Sequence, residues 1–145
     1  MLPTNFRYSL ETYFRFKIPE MIPQEVEKIL YLDVDLIIQK SIRGLFEIEM
    51  GDYYFAACRD FMEPELIPSK RELFGRYDDL RYFNAGVMLW NLKKIRGIVR
   101  FEDLIHAGEE LNFNLPCVDQ EILNYLYYDK NIYLDPEEYN YLVLR

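Results

Sequence analysis

Several short apolar runs carry no polar alternation, and this constrains the fold more than any other feature of the chain. Residues 29–32 read Ile-Leu-Tyr-Leu, 53–58 read Tyr-Tyr-Phe-Ala-Ala-Cys, and 86–92 read Gly-Val-Met-Leu-Trp-Asn-Leu. A strand with one face in water alternates apolar and polar side chains, because successive side chains point to opposite faces. A strand without alternation must be covered on both faces. Helices predicted between the runs supply the cover. One spans 9–17, opened by Ser9 and closed by Ile18-Pro19; a short one is capped by Ser41 and runs through Phe46. An amphipathic helix carries Ile98, Phe101, Leu104, Ile105 and Leu111, and another begins near Asp119 and buries Ile122, Leu123 and Leu126. A last strand at 132–134 precedes an Asp-Pro turn. The expected class is α/β, with a mixed, mainly parallel sheet. Residues 61–81, rich in proline and charge, are expected to form an irregular excursion with one helical turn.

Composition bounds the rest. The chain has 145 residues, half of them hydrophobic, which suits one domain over 1–145 with a sizeable core. No linker, low-complexity run or internal repeat marks a boundary. With 17 basic and 25 acidic side chains the net charge is −8, which argues against binding to a nucleic-acid backbone; an anionic ligand needs a local site or a metal. No apolar run approaches the ~20 residues that cross a bilayer. Met1 to Arg7 lacks the basic start and apolar core of a secretion signal, and Cys58 and Cys117 make no disulfide framework, so a cytoplasmic location is expected.

Three constellations carry chemistry. Asp33-Val34-Asp35 follows the Ile29 to Leu32 run. If the chain stays extended there and on through Leu36-Ile37-Ile38, both carboxylates face one side while Val34 turns into the core, and hard oxygen ligands of that kind suit Mg²⁺ or Mn²⁺. A solvated turn is the bland alternative. Tyr82-Phe83-Asn84-Ala85-Gly86 enters a strand with small residues that let backbone approach a ligand closely, although an Asn/Gly turn explains it equally. Asp119-Gln120 opens a helix, where Asp119 serves as a cap and Gln120 is less easily explained. Asp119 and Glu121, two apart on a helix, point roughly 200° apart and cannot flank one glycosidic bond as a hydrolase pair.

In order and local sequence these motifs resemble glycosyltransferase family 8, a retaining group of the GT-A (Rossmann-like, nucleotide-diphospho-sugar transferase) fold that includes bacterial lipopolysaccharide galactosyl- and glucosyltransferases. The matching stretches are YLDVDLII at 31–38, RYFNAGVMLWNLKKIR at 81–96, VDQEILN at 118–124 and TYFRFKIPEMIP at 12–23. The resemblance implies that Asp33 and Asp35 hold Mn²⁺ (or Mg²⁺) against a UDP-sugar. It implies that Arg15, Asp33, Asp60, Asn84, Ala85, Gly86, Asp119 and Gln120 bind the donor, with Asp119 and Gln120 at the reacting sugar. A neutral amide is a poor nucleophile, so Gln120 is expected to stabilise positive charge at the anomeric carbon during front-face attack.

The implied reaction moves glucose or galactose to a glycan or glycolipid acceptor in lipopolysaccharide or cell-surface polysaccharide synthesis. Its implied setting is the inner face of the membrane, with peripheral membrane contact. The family's base-binding βα units and its C-terminal His-x-x-Gly-x-x-Lys-Pro-Trp motif find no match. The stretch is therefore expected to be the central part of a catalytic domain, truncated at both ends. The alternative is an inactive fragment or a non-catalytic sugar-nucleotide-binding subunit that needs another chain. His106 is expected on the surface, the cysteines and the Tyr125 to Tyr141 stretch in packing. The Lys93, Lys94, Arg96 and Arg100 cluster is expected to be a solvated helix start or a contact to an anionic acceptor.

Overall fold

The computed structural model describes residues 10–61, 66–75, 81–113 and 115–141. Four strands, β1 (Ile29–Leu32), β2 (Phe55–Arg59), β3 (Phe83–Trp90) and β4 (Asn131–Leu134), form one sheet in the order β1-β3-β2-β4. The helices are α1 (Ile18–Met21), α2 (Arg43–Phe46), α3 (Ile67–Phe74), α4 (Leu92–Ile95), α5 (Phe101–Glu110), α6 (Val118–Tyr127) and α7 (Pro136–Tyr139). A 3₁₀ helix, Leu10–Lys17, leads into α1. Among the described residues no helix is long and apolar enough to cross a membrane.

The class is α/β and the sheet is mixed, but its balance differs from the expectation. β3 pairs antiparallel with both β1 and β2, and only β2 with β4 is parallel. Apolar runs report burial on two faces, which a central strand needs whichever way its neighbours run, so the direction of pairing is not in them. The burial is as expected for β2 and β3, whereas β1, at the edge of the sheet, is only half-buried along its length. Phe55, Ala57, Phe83, Met88 and Trp90 face the larger core under α5 and α6, while Ala56 and Leu89 join Met50 on the other side. Phe55 meets Trp90 edge to face at 4.8 Å between ring centroids, an arrangement the ring quadrupoles favour.

The β2–β3 ladder is interrupted at one place. Ala57 pairs with Met88, and continuing that register would set Arg59 opposite Gly86; instead Arg59 pairs with Phe83. The residues 84–86 are thereby released from β2, as in a bulge, and their peptide groups turn to other partners. On its other edge β3 keeps pace, since the Asp33 amide donates to the Gly86 carbonyl at 2.8 Å.

Several local expectations are corrected. Ile18-Pro19 does not stop the first helix; Pro19 stands in the opening turn of α1, where its missing amide has no helical acceptor to lose. Val34 and Asp35 form a turn, Val34 is fully exposed instead of entering the core, and 36–39 have no regular structure. Alternation holds only while the chain stays extended, and the strand ends at Leu32. The excursion holds α3, an eight-residue helix, where one turn was expected, with 62–65 and 76–80 outside the described residues. Asp135 caps the helical turn α7 by accepting from the Glu137 amide at 2.9 Å. Ser41 Oγ accepts from the Arg43 amide at the start of α2, as expected, while Ser9 lies outside the described residues.

The basic cluster is not a free cationic surface. Lys93 pairs with Glu27, Lys94 with Asp52 and Arg100 with Asp103. Arg96 donates to carbonyl oxygens of Pro19, Ile22, Pro23, Gln24 and Val26 at 2.7 to 3.4 Å and ties that segment to α4. His106 is exposed beside Glu109 and Glu110, and Tyr125, Tyr127 and Tyr133 pack on the main core. Cys58 is buried, and burial pushes its thiol up to about 12, so it is a packing residue at neutral pH.

Candidate active site

The polar residues of α6 are buried with its apolar stripe. Asp119, Gln120, Glu121 and Asn124 lie inside together with Ile122 and Leu123. Buried polar groups must be paired, and each of these has a named partner. Asn124 Oδ1 accepts from the Phe83 amide at 2.8 Å, and its Nδ2 donates to the Phe83 and Gln120 carbonyls at 2.8 and 2.9 Å. This clamp sets the start of β3 against α6, next to the released residues 84–86.

Gln120 completes the connection. Its Oε1 accepts from the Ala85 amide at 2.8 Å, and its Nε2 donates to Asp60 Oδ2 at 2.7 Å and to the Tyr82 hydroxyl at 3.2 Å. Asn84 Oδ1 accepts from the Gly86 amide and from Asn140 Nδ2, each at 2.8 Å, and Asn84 Nδ2 lies 3.5 Å from Asp60 Oδ1. Arg15 holds the opposite side. Its Nε lies 2.8 Å from Asp119 Oδ2, its Nη1 donates to the Ala85 carbonyl at 3.0 Å, and its Nη2 reaches Asp33 Oδ1 at 3.0 Å and the Tyr31 hydroxyl at 2.8 Å. One guanidinium thus bridges two carboxylates from β1 and α6 and the peptide of Ala85 between them. Its planar fork of five donors suits that task, and the short point charge of a lysine does not.

The electrostatics follow from burial. Asp119 has its carboxyl raised above the ordinary carboxylate range, mainly by desolvation, with the Arg15 charge pulling the other way. Glu121, fully buried one residue beyond Gln120, pairs with Lys70 of α3, and burial brings the Lys70 ammonium down to about 8. Asp119 and Glu121 therefore face different partners, as their helical spacing requires.

A cleft of about 760 Å³ opens beside this network, lined by Asp33, Asp35, Asn84, Gly86 and Asn140 and walled by Leu36, Ile37, Tyr139 and Tyr141. Asp33 and Asp35 line the same cleft through the turn at 34–35, and not through strand alternation. A Cβ on Gly86 would stand 3.0 Å from Asp33 Oδ2 and 3.1 Å from Asn84 Oδ1, so only glycine leaves that wall open. Of the residues singled out in the sequence, Arg15, Asp33, Asp60, Asn84, Ala85, Gly86, Asp119 and Gln120 form one bonded network, and Asp35 stands apart, exposed at the cleft. Tyr31, Tyr82, Asn124 and Asn140 belong to the same network. Tyr31 sits in an apolar run and carries no spacing signal, Tyr82 only opens the 82–86 stretch, and Asn124 closes the 118–124 stretch beside apolar Ile122 and Leu123.

A mixed sheet that ends in a carboxylate-lined cleft, with a helix presenting an Asp-Gln pair to a released strand segment, has the architecture of the GT-A class of glycosyltransferases. Residues 2–145 match the model of Glycosyl transferase family 8, and the chain belongs to that family. It is 36% identical over 119 residues to a putative glycosyltransferase of Haemophilus influenzae, covering 80% of this chain and 34% of that protein. It is 30% identical over 142 residues to the lipopolysaccharide 1,2-glucosyltransferase of Escherichia coli, covering 96% of this chain and 41% of that one. The crystal structure of the galactosyltransferase LgtC in complex with donor and acceptor sugar analogs superposes with a TM-score of 0.82 at 34% identity, over 92% of this chain and 48% of that chain. The chain thus spans less than half the length of each.

Proposed function

We propose that the chain is the central part of the catalytic domain of a retaining hexosyltransferase, which moves glucose or galactose from a UDP-sugar to a glycan or glycolipid acceptor. The observation that carries this reading is the Arg15 bridge between Asp33 and Asp119, which ties the carboxylate at the cleft to the Asp-Gln pair of α6. The likeness to the lipopolysaccharide glucosyltransferase and to the galactosyltransferase LgtC supports the hexose and the glycan class. It also favours an enzyme over a non-catalytic subunit. Acceptors of that kind place the protein at the inner face of the membrane. Among the described residues the outer edge of β1 has no strand beside it, and it is where further strands of the domain, or a second chain, would add.

Two aspartates on a cleft whose glycine wall leaves Asp33 Oδ2 uncovered fit a hard divalent cation, Mn²⁺ or Mg²⁺. Among the described residues no third carboxylate or imidazole joins them. A bound cation supplies Lewis-acid stabilisation of the charge that develops on a departing diphosphate. The protein's own groups do the rest. Asp60 and Asp119 accept from sugar hydroxyls, Asn84 can donate to one through its Nδ2 since its Oδ1 is already occupied, and the Gly86 wall admits the donor. Gln120, whose amide is pinned by Ala85, Asp60 and Tyr82, presents a fixed dipole to positive charge at the anomeric carbon. A neutral amide bonded at both ends suits that electrostatic role better than covalent attack.

The test is turnover of UDP-glucose and UDP-galactose, with and without Mn²⁺, for the wild type and Asp35→Asn. Loss of Mn²⁺-dependent turnover in Asp35→Asn by about a hundredfold or more is expected, since losing even an outer-shell partner of a metal ligand costs about 10- to 100-fold. Equal rates in the two proteins, or a wild type that neither turns over nor binds UDP, would sink the reading.

A further inference from the structure

The two oxygens of Asp33 are not equivalent, and Tyr31 makes them so. The Tyr31 hydroxyl lies 2.8 Å from Arg15 Nη2 and 2.9 Å from Asp33 Oδ1. A guanidinium can only donate, so the hydroxyl accepts from Arg15 and its single proton goes to Asp33. Oδ1 also accepts from Arg15 Nη2 at 3.0 Å, which fills both of its lone-pair positions with donors. Oδ2 differs. Among the described residues no hydrogen bond is made to it, and it faces the space where residue 86 has no side chain. The Tyr31 ring lies under the guanidinium at 4.4 Å, so hydroxyl, guanidinium and carboxylate form one rigid unit at the end of β1.

We propose that Tyr31 is a positioning residue: with Arg15 it saturates Oδ1 of Asp33 and so leaves Oδ2 as the single oxygen that this aspartate offers to a divalent cation. The inference rests on the metal role given to Asp33 above. Tyr31 touches neither donor nor cation; it fixes the carboxylate rotation and keeps Asp33 from binding through both oxygens. Partners that orient a ligand in this way are worth about tenfold or more in metal affinity.

The experiment is a Mn²⁺ titration of the purified protein in the presence of UDP, with free and bound Mn²⁺ read by electron paramagnetic resonance. Tyr31→Phe keeps the ring under Arg15 and removes only the hydroxyl. It should weaken Mn²⁺ binding by about tenfold and change the line shape of bound Mn²⁺ while the protein stays folded at the assay temperature. If Tyr31→Phe binds Mn²⁺ as the wild type does while Asp33→Asn loses it, the positioning role is overturned and the metal reading stands. If the wild type binds no Mn²⁺, both fall together. Should Tyr31→Phe fail to fold, Gly86→Ala addresses the same oxygen from the other side, since its methyl group lands 3.0 Å from Oδ2. Weaker Mn²⁺ binding in that variant supports the assignment, and unchanged binding overturns it.

Discussion

Asn124 shows how much of the site is held by residues that no substrate would touch. Its amide is fully buried and bonds to both backbone groups of Phe83 and to the Gln120 carbonyl. Asn124→Ala would strand buried peptide groups at the entry to β3 and should cost roughly 2–4 kcal/mol of stability, read from urea unfolding. A loss below about 0.5 kcal/mol, the level of an ordinary surface change, would mean the clamp is not needed. At this scale the sequence was informative where chemistry forces a residue type. Carboxylates at a turn, small residues at 84–86 and an Asp-Gln pair at a helix start stand out in a linear reading, and the network contains all of them but Asp35. Tyr31, Tyr82 and Asn140 do not stand out, because an aromatic in an apolar run or an asparagine near a chain turn has a bland explanation in packing or turn formation. Only their partners, from 2 to 56 residues away, show that their polar ends matter.

Elements were legible to the extent that burial writes them. Three strands fall on or overlap the non-alternating runs, β4 falls on the stretch read at 132–134, and α5 and α6 fall on the helical spacings, while α3 was undersold because its proline and charged residues conceal a helix with Lys70 and Phe74 turned inward. What joins elements was harder to see. Arg96 uses all five of its N–H donors on carbonyls of α1 and of the segment between α1 and β1, so it anchors the chain that follows the Arg15 helix. Arg96→Lys offers three donors from one point in place of a planar fork. We expect it to destabilise the fold by about 2–3 kcal/mol and to speed hydrogen exchange in α1. Arg100→Ala, which removes an exposed pair with Asp103, should leave stability close to that of the wild type, and equal effects of the two changes would refute the tie.

For the molecule as a whole, burial of weak acids sets the alkaline limit. Desolvation pushes Cys58, Tyr31 and Tyr127 each up to about 12, from ordinary values of 9.0, 10.0 and 10.0. The folded state therefore keeps these protons while the unfolded chain releases them. Stability from the three groups is complete below pH 9 and is lost as pH rises toward 12. Urea midpoints at pH 8 and pH 11 should differ, with the lower one at pH 11; a flat profile would show that burial does not hold these groups neutral. The overall class was legible from strands that must be covered on both faces. The sense of the pairings was not, since a strand buried on both faces looks the same whichever way its neighbours run.

The interruption of the ladder at 84–86 has a consequence for how this site would look to mutagenesis. Ala85 serves the network through its peptide alone, its amide bonded to Gln120 and its carbonyl to Arg15. Exchanging its methyl group for another small one leaves both bonds in place, so a change of that kind would not reveal what its peptide does. Replacing the amide linkage before Ala85 with an ester, which deletes the N–H and alters nothing else in the residue, is the change to which Gln120 would respond.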